Sequence, residues 1–419
     1  MRENKITVID TIMGGGKTTW VIDYMNASPK TKKFIYITPY LDEVRRVKNK
    51  VTHRSFQEPE DRYGSKMRDL KRMIADGEDI CSTHSLFQAA DDELLELLTD
   101  SGYTLVLDEV MSVIETANVS RQDINTLKEV GYIEIGGNRV KWLYDEYAEG
   151  RFNDIKQLAQ AGNLFVHRGR FIIWAFPAKI FEAFNEVLVL TYLFDAQIQR
   201  YYYDLHGIKY QYKSVNYNGE KYELADYDKK KENRSEVMSL IDLYEGALND
   251  VGDRKNALSS TWLRNSSDEK REDLKKKLYT FFNYHTKSKA DEVLWTTIKE
   301  LRRDDKNKKI KGINPRGYSR QIKDERGDEN GPFVSLNLRA TNKFRHTRAL
   351  AYVFNRYMSP IERAFFEDNG VRVNQDLLAV SDLLQWVWRS RIRDGETIKL
   401  YLPSSRMRKL LIEWANYNI

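Results

Sequence analysis

The residues best suited to chemistry lie in Thr11-Ile-Met-Gly-Gly-Gly-Lys-Thr-Thr19, directly behind the apolar run Ile6-Thr-Val-Ile-Asp10. Glycines at Gly14, Gly15 and Gly16 let the backbone curl so that several N–H groups point inward, a cradle for phosphate oxygens. Lys17 is placed to reach β- and γ-phosphates, and the hydroxyl of Thr18 to ligate Mg²⁺, with Thr19 next to it. A helix opening at Lys17 adds its positive N-terminal end. The usual pattern, G-x-x-x-x-G-K-[ST], begins on glycine where this chain has Thr11.

A second element handles the metal and the water. Tyr103-Thr-Leu-Val-Leu-Asp-Glu-Val110 reads as an apolar strand ending in two acids. Asp108 would hold Mg²⁺ and Glu109 would polarise the attacking water.

A third lies near the C-terminus, in Leu384-Gln-Trp-Val-Trp-Arg-Ser-Arg-Ile-Arg-Asp394, read as helical from about Asn374. On one helix Arg389 and Arg393 share a face, one turn from Gln385, while Arg391 points elsewhere. Two guanidinium groups on one face suit charge spread over the oxygens of a γ-phosphate. Trp386 and Trp388 beside them imply that this face is partly buried, and buried arginines need anionic partners.

Residues 302–323 hold nine Lys and Arg against two Asp, a net of +7. Gly312, Pro315 and Gly317 break any helix there, so a basic, flexible loop with one aromatic, Tyr318, is expected. Lys308 and Lys309 at its centre are candidates for contact with a phosphate backbone, the alternative being a solvated insertion.

Elements must position these groups. Residues 1–110 alternate strand and helix: strands Ile6–Asp10, Phe34–Thr38, Ile80–Ser82 and Thr104–Asp108, with helices beginning near Lys17, Leu41 and Ser85. Such alternation means a parallel sheet with crossover helices, and the glycine loop falls at a strand's carboxyl end. The sheet is expected to continue through Phe171–Trp174 and Val187–Thr191. Residues 118–166 interrupt it with a helix at Asp123–Val130 and a hairpin, Tyr132–Trp142, turning at Gly136-Gly137. Asp226–Arg234 reads as a charged linker, Val237–Leu248 as a helix and Asn256–Trp262 as the first strand of a second α/β domain. A charged insertion over 264–330 precedes strands at Phe333–Leu338 and Ile398–Leu402.

The bulk numbers agree. A chain of 419 residues exceeds a single core. No apolar run approaches the ~18 residues of a membrane span, and the N-terminus lacks an apolar signal region. One cysteine, Cys81, excludes an internal disulfide and a cysteine-based metal site and fits a reducing compartment. A net charge of +6 hints at a polyanionic partner.

The order of glycine loop, Asp-Glu strand, second α/β domain and late Gln-Arg-Arg segment resembles that of superfamily 2 helicases, more narrowly phage-encoded members of the DEAD/DEAH type. The resemblance covers nearly the whole chain outside the two insertions. It implies an α/β chain of two RecA-like domains with parallel sheets. The first, 1–225, carries a small α/β insertion at about 118–166; the second, 226–419, carries the charged insertion. It implies ATP and Mg²⁺ as cofactors, single-stranded or forked DNA and other replication or recombination proteins as partners, no membrane, and the host cytoplasm.

Residue by residue, Gly14 to Thr18 match the family's first motif and Asp108-Glu109 its second. Ile37-Thr-Pro-Tyr40 resembles the segment whose Thr38 and Pro39 touch the nucleic-acid backbone. Ser82-Thr-His84 resembles the turn whose Thr83 and His84 contact the same strand. Thr191-Tyr192 lies where the coupling motif lies, and Arg339-Ala-Thr-Asn-Lys343, with Thr341 and Asn342, where the fifth motif meets ATP and nucleic acid. Gln385, Arg389 and Arg393 match the sixth, the arginines serving as the finger. Val110-Met111 after the acids departs from the RNA-specific subgroup. Trp388 stands where the family has glycine, and its second arginine is displaced to Arg393. The family's adenine-recognising glutamine segment is not expected, since only a few residues precede the first strand. The implied function is an ATP-dependent DNA helicase or translocase. A terminase-like packaging ATPase would want an acidic nuclease cluster where the chain is basic, at Arg389–Lys409; an ATP-switched nucleic-acid-binding protein without unwinding activity stays open.

Overall fold

The computed structural model describes residues 5–39, 41–61, 64–87, 90–117, 119–147, 150–169, 171–305, 309–323, 329–336 and 343–419. They fall into two compact units, Met1–Tyr227 with Ser359–Val373, and Asp228–Met358 with Asn374–Ile419.

The first unit begins with the expected alternation. β1 (Ile6–Asp10) leads to α1 (Lys17–Ala27), β2 (Phe34–Thr38) to α2 (Leu41–Lys50), and β3 (Phe56–Gln57) to α3 (Lys66–Ala75). β4 (Asp79–Thr83) is followed by α4 (His84–Phe87) and α5 (Asp92–Ser101), then β5 (Thr104–Asp108). Every residue of β1 and β2 is buried, as strands covered by helices on both faces require. The helices start on side-chain caps where the sequence supplies them: Ser65 accepts from the N–H of Arg68, and Asp91 from that of Leu94.

The interruption is a separate antiparallel sheet. It contains β6 (Ile114–Thr116), α6 (Arg121–Glu129), β7 (Ile133–Gly136), β8 (Arg139–Trp142), α7 (Asn153–Gln160), β9 (Leu164–His167) and β10 (Phe171–Ala175). Its five strands run in the order β6-β10-β9-β8-β7. This corrects the assignment of Phe171–Trp174 to the parallel sheet. Only three residues, Arg168 (φ 50°) and Gly169 (φ 61°) among them, separate β9 from β10, and the two strands pair antiparallel. A parallel neighbour needs a crossover of about a dozen residues.

The chain then regains the main sheet through α8 (Lys179–Ala183), β11 (Glu186–Thr191), α9 (Ile198–Leu205), β12 (Tyr210–Tyr217) and β13 (Tyr222–Asp226). The eight strands lie in the order β13-β12-β1-β11-β5-β2-β4-β3. All pairs are parallel except β12–β13. β11 therefore separates the glycine-loop strand from the acid-bearing strand.

The second unit opens with α10 (Arg234–Ser239) and β14 (Ile241–Leu243), followed by α11 (Ser260–Arg264), α12 (Asp268–Thr280) and β15 (Val293–Thr296). After the short pair β16 (Ile322–Lys323) and β17 (Glu329–Asn330) comes β18 (Ala349–Tyr352). α13 (Pro360–Asp368) belongs to the first unit, where Arg168 donates twice to Asp368 at 2.7 Å and Phe366 packs on Tyr201. α14 (Gln375–Val387), β19 (Ile398–Tyr401) and α15 (Ser405–Ala415) complete the second unit. Its sheet is parallel, in the order β14-β19-β18-β15. Both units are thus α/β with parallel sheets, the expected fold class.

Four local expectations are corrected here. The helix read over Val237–Leu248 ends at Ser239, because Ile241–Leu243 pairs with Ile398–Leu400 instead. Asn256–Trp262 is no strand: Ser259 caps the N–H of Trp262 and starts α11. The stretch 264–330 is not wholly an insertion, since β15 within it is a fully buried strand of the sheet. Arg234, read as part of a linker, is 1 % exposed and donates to the carbonyls of Trp414 and Ile419. Of Phe333–Leu338, Phe333 bridges to Trp295, while Leu338 lies outside the described residues.

Candidate nucleotide-binding site

Residues Thr11–Gly16 turn the chain from β1 into α1 without a side-chain cap. Gly14 (φ 79°) and Gly16 (φ 85°) hold the left-handed backbone that only glycine takes readily. Gly15 is needed for space, since a Cβ there would meet Thr11 Cγ2 at 2.5 Å. The ammonium of Lys17 donates to the carbonyl oxygens of Thr11 and, at 3.3 Å, Ile12. Thr11 itself is anchored: its N–H donates to Thr191 O (3.2 Å) and its hydroxyl accepts from the N–H of Val215 (2.9 Å). Buried Asp10 accepts from the N–H groups of Leu193 and Phe194, both at 2.8 Å, clamping the turn after β11 to the glycine-loop strand.

Asp108 ends β5. Its Oδ2 accepts from the phenol of Tyr36 at 2.5 Å. Burial raises the pKa of this carboxyl, while the Tyr36 bond and the charges of Arg46 and Lys17 pull it back. An acid whose charge burial opposes, within electrostatic reach of Lys17, is a fitting donor for a hard divalent cation. Thr18 and Asp108 are the groups that would hold Mg²⁺. Among the described residues no cluster of three or more His, Cys, Asp or Glu stands ready to ligate a metal. Glu109 sits at φ 75°, a strained conformation for a residue with a side chain, and its N–H donates to Leu190 O at 2.9 Å. The next turn is held by Gln199, which accepts from the N–H of Met111 at 3.0 Å.

Tyr36, Arg46, Asp10 and Gln199 escaped the sequence reading. Tyr36 alone left a signal, a hydroxyl inside an otherwise apolar strand.

Thr38 ends β2 and Pro39 follows it, and Thr83 and His84 join β4 to α4, at the same carboxyl edge of the sheet. Thr38 is 1 % exposed, and its hydroxyl has no partner among the described residues; the same holds for the fully buried hydroxyl of Thr191. Thr83 bonds Ser85 at 3.1 Å. Tyr40, Lys308, Arg339, Thr341 and Asn342 lie outside the described residues. Lys309 is exposed, at φ 51°. Tyr318 lies in a loop as expected but is buried there: it is 7 % exposed, donates to Ser288 O (2.9 Å), and its carbonyl accepts from Trp295 Nε1 (2.7 Å).

The shared helical face of Arg389 and Arg393 is corrected. α14 starts after Asn374 as expected but ends at Val387, and Ser390 is extended (ψ −174°) before a 3-10 turn over Arg391–Asp394. Arg389 is 5 % exposed, whereas Arg393 lies on the surface. Gln385 is half-buried in the last turn of α14.

A glycine-rich loop at the carboxyl end of an interior parallel strand, with two acids two strands away and a second parallel-sheet unit, defines an α/β protein of two parallel-sheet units. More narrowly, the chain belongs to the YonV family. It is 40 % identical over 428 aligned positions, spanning 98 % of each chain, to the SPbeta prophage-derived protein YonV of Bacillus subtilis (strain 168). The YonV middle domain matches residues 114–174, the extent of the antiparallel sheet, and the YonV C-terminal Rossmann-like domain matches 235–415. Among solved structures, an XPD helicase aligns with a TM-score of 0.48 at 11 % identity, covering 98 % of this chain and 95 % of that one. S. tokodaii Xpd4 gives 0.47 at 12 %, covering 100 % and 94 %. The DUF1998 helicase MrfA bound to DNA and AMPPNP gives 0.40 at 10 %, covering 100 % of this chain and 49 % of that one.

Proposed function

We propose that the protein is an ATP-dependent DNA helicase or translocase. The observation that supports the reading is the electrostatic reach of Lys17, in the glycine loop after β1, to Asp108 at the carboxyl end of β5, with Asp108 bonded to Tyr36. In this reading the backbone N–H groups of Gly14–Thr18 and the Lys17 ammonium bind the triphosphate. Thr18 and, through water, Asp108 would hold Mg²⁺, which would neutralise phosphate charge. Glu109 accepts a proton from the attacking water. Arg389 and Arg393, with Gln385 near them, are assigned the finger role of the second unit. Thr38, Pro39, Thr83, His84, Lys308, Lys309, Arg339, Thr341 and Asn342 are assigned to the DNA backbone. The clamp from Asp10 to the turn after β11 gives the nucleotide loop a rigid path to the neighbouring strand.

The test is phosphate release by the full chain with and without single-stranded DNA, followed by strand displacement on forked, 3′-tailed and 5′-tailed duplexes with an RNA control. DNA-stimulated turnover with displacement supports the proposal. Turnover without displacement leaves translocation to be read from a streptavidin-removal assay, and neither activity rejects the motor. Nucleotide binding without turnover favours the ATP-switched binding protein instead.

A further inference from the structure

We infer that Tyr222 and Tyr217, at the tip of the β12–β13 hairpin, form the face on which the nucleobase of the bound triphosphate stacks. This rests on the nucleotide-binding reading above and adds the subsite for the base.

The hairpin is built to reach the loop. β12 stays in register with β1 only from Ile6–Tyr210 to Ile9–Lys213, then runs on to Tyr217. At ~3.3 Å per residue the tip overshoots that register by roughly 13 Å, past the edge where the glycine loop lies. The bond from the N–H of Val215 to the hydroxyl of Thr11 fixes hairpin to loop.

Tyr217 and Tyr222 are direct cross-strand partners, with ring centroids 5.1 Å apart. The two-residue period puts them on the face of Val215, which packs in one cluster with Trp20 and Val21 of α1. The ring of Tyr222 covers Gly16 so closely that a Cβ there would lie 2.1 Å from its Cε1. Tyr217 is 59 % exposed, yet its hydroxyl is tied to Gly219 O at 2.9 Å. The pair offers one ring against the loop and one open to solvent.

Strand order supplies the direction. The acids end β5, on one side of β1 beyond β11; the hairpin lies on the opposite side. A triphosphate whose γ end faces Asp108 and Glu109 carries its nucleoside end away from them, toward the tyrosines. Stacking on aromatic rings tolerates every base, so the site should accept adenine and guanine nucleotides alike.

Calorimetry on the full chain, with Mg²⁺, compares a non-hydrolysable ATP analogue, its GTP counterpart and inorganic tripolyphosphate. Tyr217→Ala and Tyr222→Leu should each weaken the analogues roughly tenfold while tripolyphosphate changes less than about twofold. Tyr222→Phe should bind as the parent does. If Tyr222→Leu does not fold, Tyr217→Ala, at an exposed position, decides alone. Equal losses for analogue and tripolyphosphate would make the tyrosines mere supports of the loop, and unchanged analogue binding would put the base elsewhere; either overturns the inference. A parent chain that binds neither ligand overturns the nucleotide-binding reading itself.

Discussion

The phenol of Tyr36 donates to Oδ2 of Asp108 at 2.5 Å, joining the middle of β2 to the carboxyl end of the adjacent parallel strand β5. Because this bond lowers the carboxyl's pKa against the effect of burial, its loss in Tyr36→Phe should leave Asp108 harder to ionise. The acid limb of the pH–rate profile should move to higher pH. The Mg²⁺ concentration for half-maximal ATPase should rise roughly tenfold or more, from ~1.5–3 kcal/mol for a bond to a charged group. An unmoved acid limb would separate Tyr36 from the metal site.

Asp108 also carries a cost in stability. Burial raises its pKa above the unfolded value, so its contribution to the folded state is complete below the unfolded pKa and is lost as pH rises through the folded one. Asp108→Asn should therefore raise the unfolding midpoint at neutral pH and abolish Mg²⁺-dependent turnover. A midpoint that falls at neutral pH would contradict the direction of the shift.

Lys17→Ala should remove hydrolysis, since the loop loses its cation. Glu109→Gln should still bind ATP and turn over at least ~100-fold more slowly, as for loss of a general base. Near-normal turnover by Glu109→Gln would assign the base elsewhere.

The two arginines should now separate. Arg389 is buried and Arg393 is on the surface beyond the break at Ser390. Arg389→Ala should lower turnover by about 10³ with ATP affinity nearly intact, the size expected of a finger. Arg389→Lys should rescue poorly for want of the planar fork. Single-turnover rates and nucleotide binding measured side by side check both, and a smaller loss in Arg393→Ala would follow from its exposure.

Glu292 is held down to about 2 by the Arg348 guanidinium, with help from the N–H of Lys289. Its folded pKa lies below the ordinary 4.5, so its contribution is present above that value and lost as pH falls toward about 2. Glu292→Gln should lower the urea midpoint at pH 7 and match the parent near pH 2. A constant difference across that window would show that the ion pair adds nothing.

By itself the sequence determined what is local. Strand and helix periods, the glycines and the cap residues act through neighbours a few positions apart, so Ile6–Asp10, the helix start at Lys17 and Thr104–Asp108 stand in the structure where the pattern put them. Tertiary structure decided which strands pair. Phe171–Ala175 and Val293–Thr296 are equally apolar runs, yet one joins an antiparallel insertion and the other the second parallel sheet. Pairing depends on where distant backbone donors and acceptors become available, which no local period encodes. The same holds for the site. Glycine loop and acids were legible as motifs, but the bond from Tyr36 to Asp108 and the ring of Tyr222 over Gly16 arise only when strands far apart in the chain are laid side by side. Arg389 and Arg393 show the converse: a spacing of one helical turn implied a common face, and the extended Ser390 removed it.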